Sequence, residues 1–160
     1  MSTHKKIFID TEYTNFVNVH LISIGLVADS GEQFYAEVPY PANECSQFVR
    51  DVVIPLLGQE PNAAHAIDTL YYALMSWLKI VKSSNQDIEI CYDSETDWIL
   101  FEDAMGHHIP GWAHPCLVAD QINELLRHEW HQKNGKPEHH ALYDAQANCY
   151  AFRSPVIAPE

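Results

Sequence analysis

Asp10 and Glu12 close the first apolar run, Lys6-Ile7-Phe8-Ile9-Asp10-Thr11-Glu12, two residues apart. Side chains alternate faces along a strand, so the two carboxylates share a side. Like charges placed together at a sheet edge repel and cost stability. A divalent cation removes that cost, and oxygen ligands of this kind suit magnesium or manganese. Alone the pair is a weak signal, since chains are about a quarter charged and Asp-x-Glu arises often by chance as a solvated strand end. Further carboxylates strengthen it. In His139-His140-Ala141-Leu142-Tyr143-Asp144-Ala145, Asp144 lies one helical turn beyond His140 and five residues past His139, so an imidazole and a carboxylate could face one site. Asp93 and Asp97 fall where a strand gives way to a helix, and sites assemble at such strand ends. Two metals about 3.5–4 Å apart, held by carboxylates, activate a water and stabilise the leaving oxygen in phosphodiester cleavage. A histidine of ordinary pKa, near ~6.5, can take the proton.

The elements that would position these groups follow from pattern. Residues 5–12 read as a first strand and 20–27 as a second. Residues 33–38 follow the turn signal Asp29-Ser30-Gly31-Glu32, which predicts an antiparallel hairpin with the second strand. Ser46 is an expected N-cap for a helix through Phe48, Val49, Val52, Val53 and Leu56, stopped by Pro55 and Gly58. The spacing predicts a long amphipathic helix over 63–82, with Ile67, Leu70, Tyr71, Leu74, Trp77, Leu78 and Val81 on one stripe. A strand over 87–92, a helix over 97–105 and a His-, Pro- and Gly-rich loop over 106–115 come next. A short strand at 116–119, a helix over 121–132 and a last helix over 140–152 complete the series. Three strands, then helices, then alternating strand and helix make a mixed α/β layer fold with an antiparallel hairpin on one side of the sheet. We expect one domain over 1–153 and a tail over 154–160.

Three of these segments together resemble the DEDDh 3′–5′ exonucleases, the DnaQ-like branch of the ribonuclease H-like fold. Ile9-Asp10-Thr11-Glu12 is similar to the family's first motif, Asp-x-Glu on the first strand. Thr96-Asp97-Trp98-Ile99-Leu100-Phe101 resembles the second, an aspartate opening a helix, and His139 with Asp144 resembles the third. The run Phe8 to Tyr13 followed by Leu21 to Val27 is especially similar to small single-domain bacterial exoribonucleases. The resemblance implies a mixed sheet flanked by helices and two Mg²⁺ or Mn²⁺ ions. Asp10 would bridge both ions, Glu12 and Asp144 would hold the one serving the attacking water, and Asp97 would support the second. His139 would be the general base, with His140 facing solvent. It also implies a homodimer and single-stranded nucleic acid, RNA before DNA, as substrate, with nucleoside 5′-monophosphate as product. Thr96 stands where the family has a bulky residue, and Asp93 where it has a small polar one, which leaves the choice between Asp93 and Asp97 open. Thr11, Tyr13 and Phe16 are candidate substrate contacts, and for the two aromatics capping the core is an equal alternative.

Composition sets the boundaries. At 160 residues and 47% apolar, the chain can bury one substantial core. No signal peptide or membrane-length apolar run is present, so a cytoplasmic protein is expected. Cys45, Cys91, Cys116 and Cys149 lie far apart without Cys-x-x-Cys spacing, which reads as reduced, mostly buried thiols. A zinc cluster of Cys116 with His107, His108, His114, His128 and His131 lacks the usual paired spacing, so surface or packing histidines are expected. A Ser-His-Asp hydrolase is disfavoured because no Gly-x-Ser-x-Gly elbow occurs. The net charge of −13 is awkward for gripping a long duplex, which calls for a basic face. It favours a short or single-stranded substrate, or a partner that brings positive charge. Other readings are the same chemistry on DNA, an inactive binding module, and a hydrolase of small phosphates.

Overall fold

A computed structural model describes residues 4–154. Only Ser154 of the expected 154–160 tail falls among them. A five-stranded sheet runs in the order β3-β2-β1-β4-β5, built from Lys5–Tyr13 (β1), Leu21–Ala28 (β2), Gln33–Glu37 (β3), Ile88–Tyr92 (β4) and Ala113–Leu117 (β5). β1, β2 and β3 form antiparallel pairs, as the turn signal predicts, while β1, β4 and β5 run parallel. Four helices cover the sheet: Ile67–Val81 (α1), Glu95–Ala104 (α2), Glu124–Asn134 (α3) and Ala141–Ala151 (α4).

The alternation of β1 and β2 feeds two layers. Ile7, Ile9, Ile24 and Leu26 pack with Leu70, Leu74 and Leu78 of α1 and Phe101 of α2. On the other face Phe8 and Val27 meet α3 and α4 through Leu126, Leu142 and Ala145. Asp10 and Glu12 share the face of Phe8, so α4 stands over the carboxylates.

Several expected boundaries shift for physical reasons. The long helix starts at Ile67, not Ala63, because the backbone of 63–65 pairs with the end of β3: Glu37 N–H donates to the Ala63 carbonyl, and His65 N–H to the Glu37 carbonyl. Ile67 consequently leaves the buried stripe and is 66% exposed. The segment after Ser46 is capped as expected, Ser46 Oγ accepting from Val49 N–H at 3.2 Å. It then widens into a π-helical turn at Val49–Val53 and runs through Pro55 in a tight 3₁₀ turn. Proline has no N–H to continue the regular ladder, so the turn geometry changes there instead of ending. β5 begins at Ala113, inside the expected loop, and contains Pro115. An edge strand tolerates a proline whose missing N–H would face away from the ladder. α3 lies two to three residues later than its pattern suggested, capped by Asn123, whose Oδ1 accepts from Leu126 N–H, and ended by left-handed Gly135.

Candidate active site

β1 and β4 pair only as far as Phe8 opposite Cys91. Asp10 and Glu12 therefore run past the shared ladder, into the space where the chain leaves β4 for α2. Ser94 caps α2 by accepting from Thr96 N–H, and Asp97 follows in the first turn. Asp97 is 3% exposed, and its Oδ1 accepts from Thr11 N–H at 3.2 Å and from Thr11 Oγ1 at 2.6 Å. Thr11, expected among the substrate contacts, is itself buried, with its hydroxyl committed to that carboxylate.

α4 brings the fourth acid from the opposite side. Its first turn lies directly on Gly25, the residue paired with Asp10 across β1 and β2. A Cβ on Gly25 would lie 2.6 Å from the backbone of Ala141 and Leu142, so only glycine permits this approach. Asp144 sits one turn into α4, and its carboxylate accepts from His139 N–H at 3.0 and 3.2 Å. His139 precedes the helix with φ +67°, a left-handed conformation that costs a non-glycine residue about 1 kcal/mol or more. Its ring is exposed and stands edge-on to Phe48 at 4.9 Å.

The helix start decides between the two histidines. His140 does not face solvent as expected: it is 2% exposed, stacked on Tyr143 at 3.8 Å and on Tyr35 at 4.6 Å. Burial lowers its pKa, and neither ring nitrogen has a hydrogen-bond partner, which suits a neutral packing group. His139 alone of the pair lines the pocket.

Five carboxylates converge here. Ligand atoms of Asp10, Asp93 and Asp97 lie within 4.8 Å of one another, as do those of Glu12, His139 and Asp144. Asp93 and Asp97, the two alternatives for the second motif, both belong to the cluster. Asp93 is held by Arg127 Nη1 at 3.3 Å, and Arg127 also grips Glu124. Burial, followed by repulsion from Asp144 and Asp97, pushes Glu12 up to about 8. Burial likewise pushes Asp97 up to about 8, against the lowering effect of the Thr11 hydroxyl, and Asp93 adds repulsion. Asp10 is raised well above the carboxylate range by burial and by all four acidic neighbours. Three carboxyls that resist ionisation side by side form a donor set that a hard divalent cation fits.

Behind Asp144, His131 is buried at 6% exposure. Its Nδ1 lies 3.0 Å from the Lys136 carbonyl oxygen and its Nε2 3.4 Å from Asp144 Oδ1. The bond to Asp144 raises its pKa despite an opposing effect of burial. The sequence marked His131 only as a surface or packing histidine; nothing in its spacing announces a partner 13 residues away.

The pocket in front of the acids has a volume of about 660 Å³. Tyr13 and Phe16 line it, Phe16 88% exposed and the two rings edge-to-face at 5.8 Å, so Phe16 does not cap the core. Phe48 lines the same wall and was legible only as one apolar residue of a helix.

No family model matches the sequence, and no curated protein matches it. Solved structures do. The nuclease domain of 3′hExo, a DEDDh family member bound to rAMP, superposes with a TM-score of 0.60 at 14% identity, covering 91% of this chain and 88% of that one. The fold is the ribonuclease H-like fold of the DEDDh nuclease domains. Cell-death related nuclease 4 (CRN-4) aligns with a TM-score of 0.52 at 13% identity, over 91% of this chain and 61% of its own. A 3′-exonuclease described in 3′-end specific recognition of a histone mRNA stem-loop gives 0.57 at 11% identity, over 92% and 62%. At such identities the likeness carries the architecture alone, and the chemistry rests on the residues described above.

Proposed function

We propose that this chain is a metal-dependent 3′–5′ exonuclease of the DEDDh type. It releases nucleoside 5′-monophosphates from single-stranded RNA or short oligonucleotides. The observation that carries this reading is the convergence of Asp10, Glu12, Asp97, Asp144 and His139 on one pocket, from β1, α2 and both sides of the α4 start.

In this reading Asp10, Glu12, Asp97 and Asp144 hold two Mg²⁺ or Mn²⁺ ions, with Asp93 as an added acid beside Asp10 and Asp97. When bound, such ions activate the attacking water and stabilise the leaving oxygen. His139 accepts the proton as water adds to phosphorus. The bond from phosphorus to the 3′ oxygen of the preceding nucleotide breaks, and that oxygen takes up a proton. Asp144 fixes the His139 backbone through its N–H, and Thr11 fixes Asp97. His139 is exposed, so its proton can leave to solvent. Tyr13, Phe16 and Phe48 supply ring faces and edges for the terminal base. A pocket of about 660 Å³ is in the usual range for a bound small molecule, which a single nucleotide resembles in size.

RNA is preferred over DNA in this reading because the 3′hExo domain carries rAMP and a second similar structure concerns a histone mRNA stem-loop. The net charge of −13 favours short or single strands over duplex. A homodimer in the cytoplasm completes the reading; among the described residues no helix is long and apolar enough to cross a membrane. Labelled single-stranded RNA, single-stranded DNA and a dinucleotide, each with Mn²⁺ or EDTA, test it. Mn²⁺-dependent turnover fastest on RNA is expected. Binding without turnover would instead mark an inactive module.

A further inference from the structure

One face of the sheet gathers a second group of metal-binding side chains that the nuclease reading does not use. Phe8 faces Cys91 across β1 and β4, and Cys91 in turn faces Cys116 across β4 and β5. Glu89 is two residues before Cys91 on β4 and therefore points to the same side. The Glu89 carboxylate and the Cys91 and Cys116 thiols lie within 4.8 Å of one another. The group sits two residues and more down β4 from Asp93, with Phe8 beside it. At about 3.3 Å per residue that places Cys91 about 7 Å along the strand from Asp93, with Glu89 further still.

We propose that Glu89, Cys91 and Cys116 form a separate binding site for a thiophilic divalent ion of the zinc type, with water in the fourth position. Two thiolates and a carboxylate are the donor chemistry that zinc takes and that magnesium and manganese do not. Donor atoms within 4.8 Å of one another stand near the edge length of a zinc tetrahedron, about 3.8 Å for bonds of about 2.3 Å, so small side-chain rotations close the site. His4 Nδ1, 3.7 Å from Glu89 Oε1, stands beside the group and helps hold that carboxylate. Its ring stacks at 5.3 Å on His114, which is anchored to Asp87 at 2.8 Å. The charges also balance. Two thiolates and one carboxylate carry −3, the ion +2, and the Lys6 ammonium, 3.6 Å from Glu89 Oε1, +1.

The ion displaces the two thiol protons as it binds. It then ties β5, an edge strand carrying Pro115, to β4. Cys116 and Glu89 are partly exposed, which gives the ion a way in, while Cys91 is 1% exposed and makes the inner wall. The carboxylate site at the other end of β1 has no sulfur, so the two sites differ in metal preference and in spectroscopy.

Cobalt(II) titration of the reduced full-length protein reads this site without reference to nuclease activity. One equivalent of Co²⁺ should give a near-ultraviolet sulfur-to-cobalt charge-transfer band, bleached by Zn²⁺ and untouched by excess Mg²⁺. The band should persist in Asp10→Asn, which separates this proposal from the nuclease reading. Cys116→Ser should weaken Co²⁺ binding by at least about 100-fold, the upper end of the cost of losing even an outer-shell partner. Glu89→Gln, on a partly exposed residue, provides a second variant should Cys116→Ser fail to fold, and should also weaken binding. Absence of the band in the native protein, or its survival in a folded Cys116→Ser or Glu89→Gln variant at unchanged affinity, would overturn the proposal.

Discussion

His139 and His140 are adjacent in sequence and opposite in environment, and that contrast gives the sharpest test at the scale of single residues. His139→Ala should lower the rate by about 10²–10⁴, the range for a positioned general base, with little change in melting temperature. His140→Ala should do the reverse. It empties the space between Tyr35 and Tyr143 and should cost about 3 kcal/mol or more of stability, measured by denaturant unfolding. Equal rate losses without destabilisation would contradict the assignment. The raised carboxyls predict a pH effect on the metal-free protein. Glu12 and Asp97 hold protons up to about pH 8 when folded, while the unfolded chain releases them near its ordinary values of 4.5 and 3.8. Unfolding therefore releases protons in that window, and stability falls as pH rises through it. Thermal melts with EDTA should be higher at about pH 6 than at about pH 8.5, and Mn²⁺ should recover the loss. Asp10→Asn should flatten this dependence and abolish turnover together. A metal-free protein that gained stability toward pH 8.5 would refute the mutual repulsion at the centre of the site. The residues of the first and third motifs were legible because local period fixes Asp10 against Glu12 and His139 against Asp144. His131 behind Asp144 and the Arg127–Asp93 contact were not, because both depend on how α3 lies against its neighbours.

At the scale of elements, the approach of α4 to the sheet positions Asp144 and His139, and Gly25 permits it. Gly25→Ala puts a methyl 2.6 Å from the α4 backbone, which must then move. The expected result is a stability loss of about 1–3 kcal/mol, as for overpacking elsewhere, and a fall in rate larger than the stability loss explains. Unfolding curves and turnover on the same samples check this; a fully active Gly25→Ala would show that α4 does not set the geometry. The hairpin and the strands β1 and β4 were readable from alternation and turn residues. The start of α1 was not, because the pairing of 63–65 with Glu37 is a tertiary contact hidden inside a helical pattern. The strand expected at 116–119 begins earlier, at Ala113, for a related reason: Pro115 reads as loop unless the strand is known to lie at an edge. The Glu89, Cys91 and Cys116 group was equally hidden, since it exists only in the register of two parallel strands.

At the scale of the whole molecule, a chain of charge −13 has only nine Lys and Arg against 22 acids. Substrate binding cannot draw on a broad basic face, so few counterions are released. The affinity for a short single strand should fall with salt at a slope equivalent to about one or two phosphate contacts, using ~0.7 per contact for single strands. A slope equivalent to about six or more would reveal a basic partner or surface not accounted for. The most direct test of the central claim, that four separated acids act together at a 3′ end, follows a 5′-labelled RNA through time with Mn²⁺. Shortening by one nucleotide at a time from the 3′ end is expected, with 5′-monophosphates released, and no shortening with EDTA or in Asp10→Asn or Asp144→Asn. Internal cuts, loss from the 5′ end, or undiminished activity in either variant would contradict it.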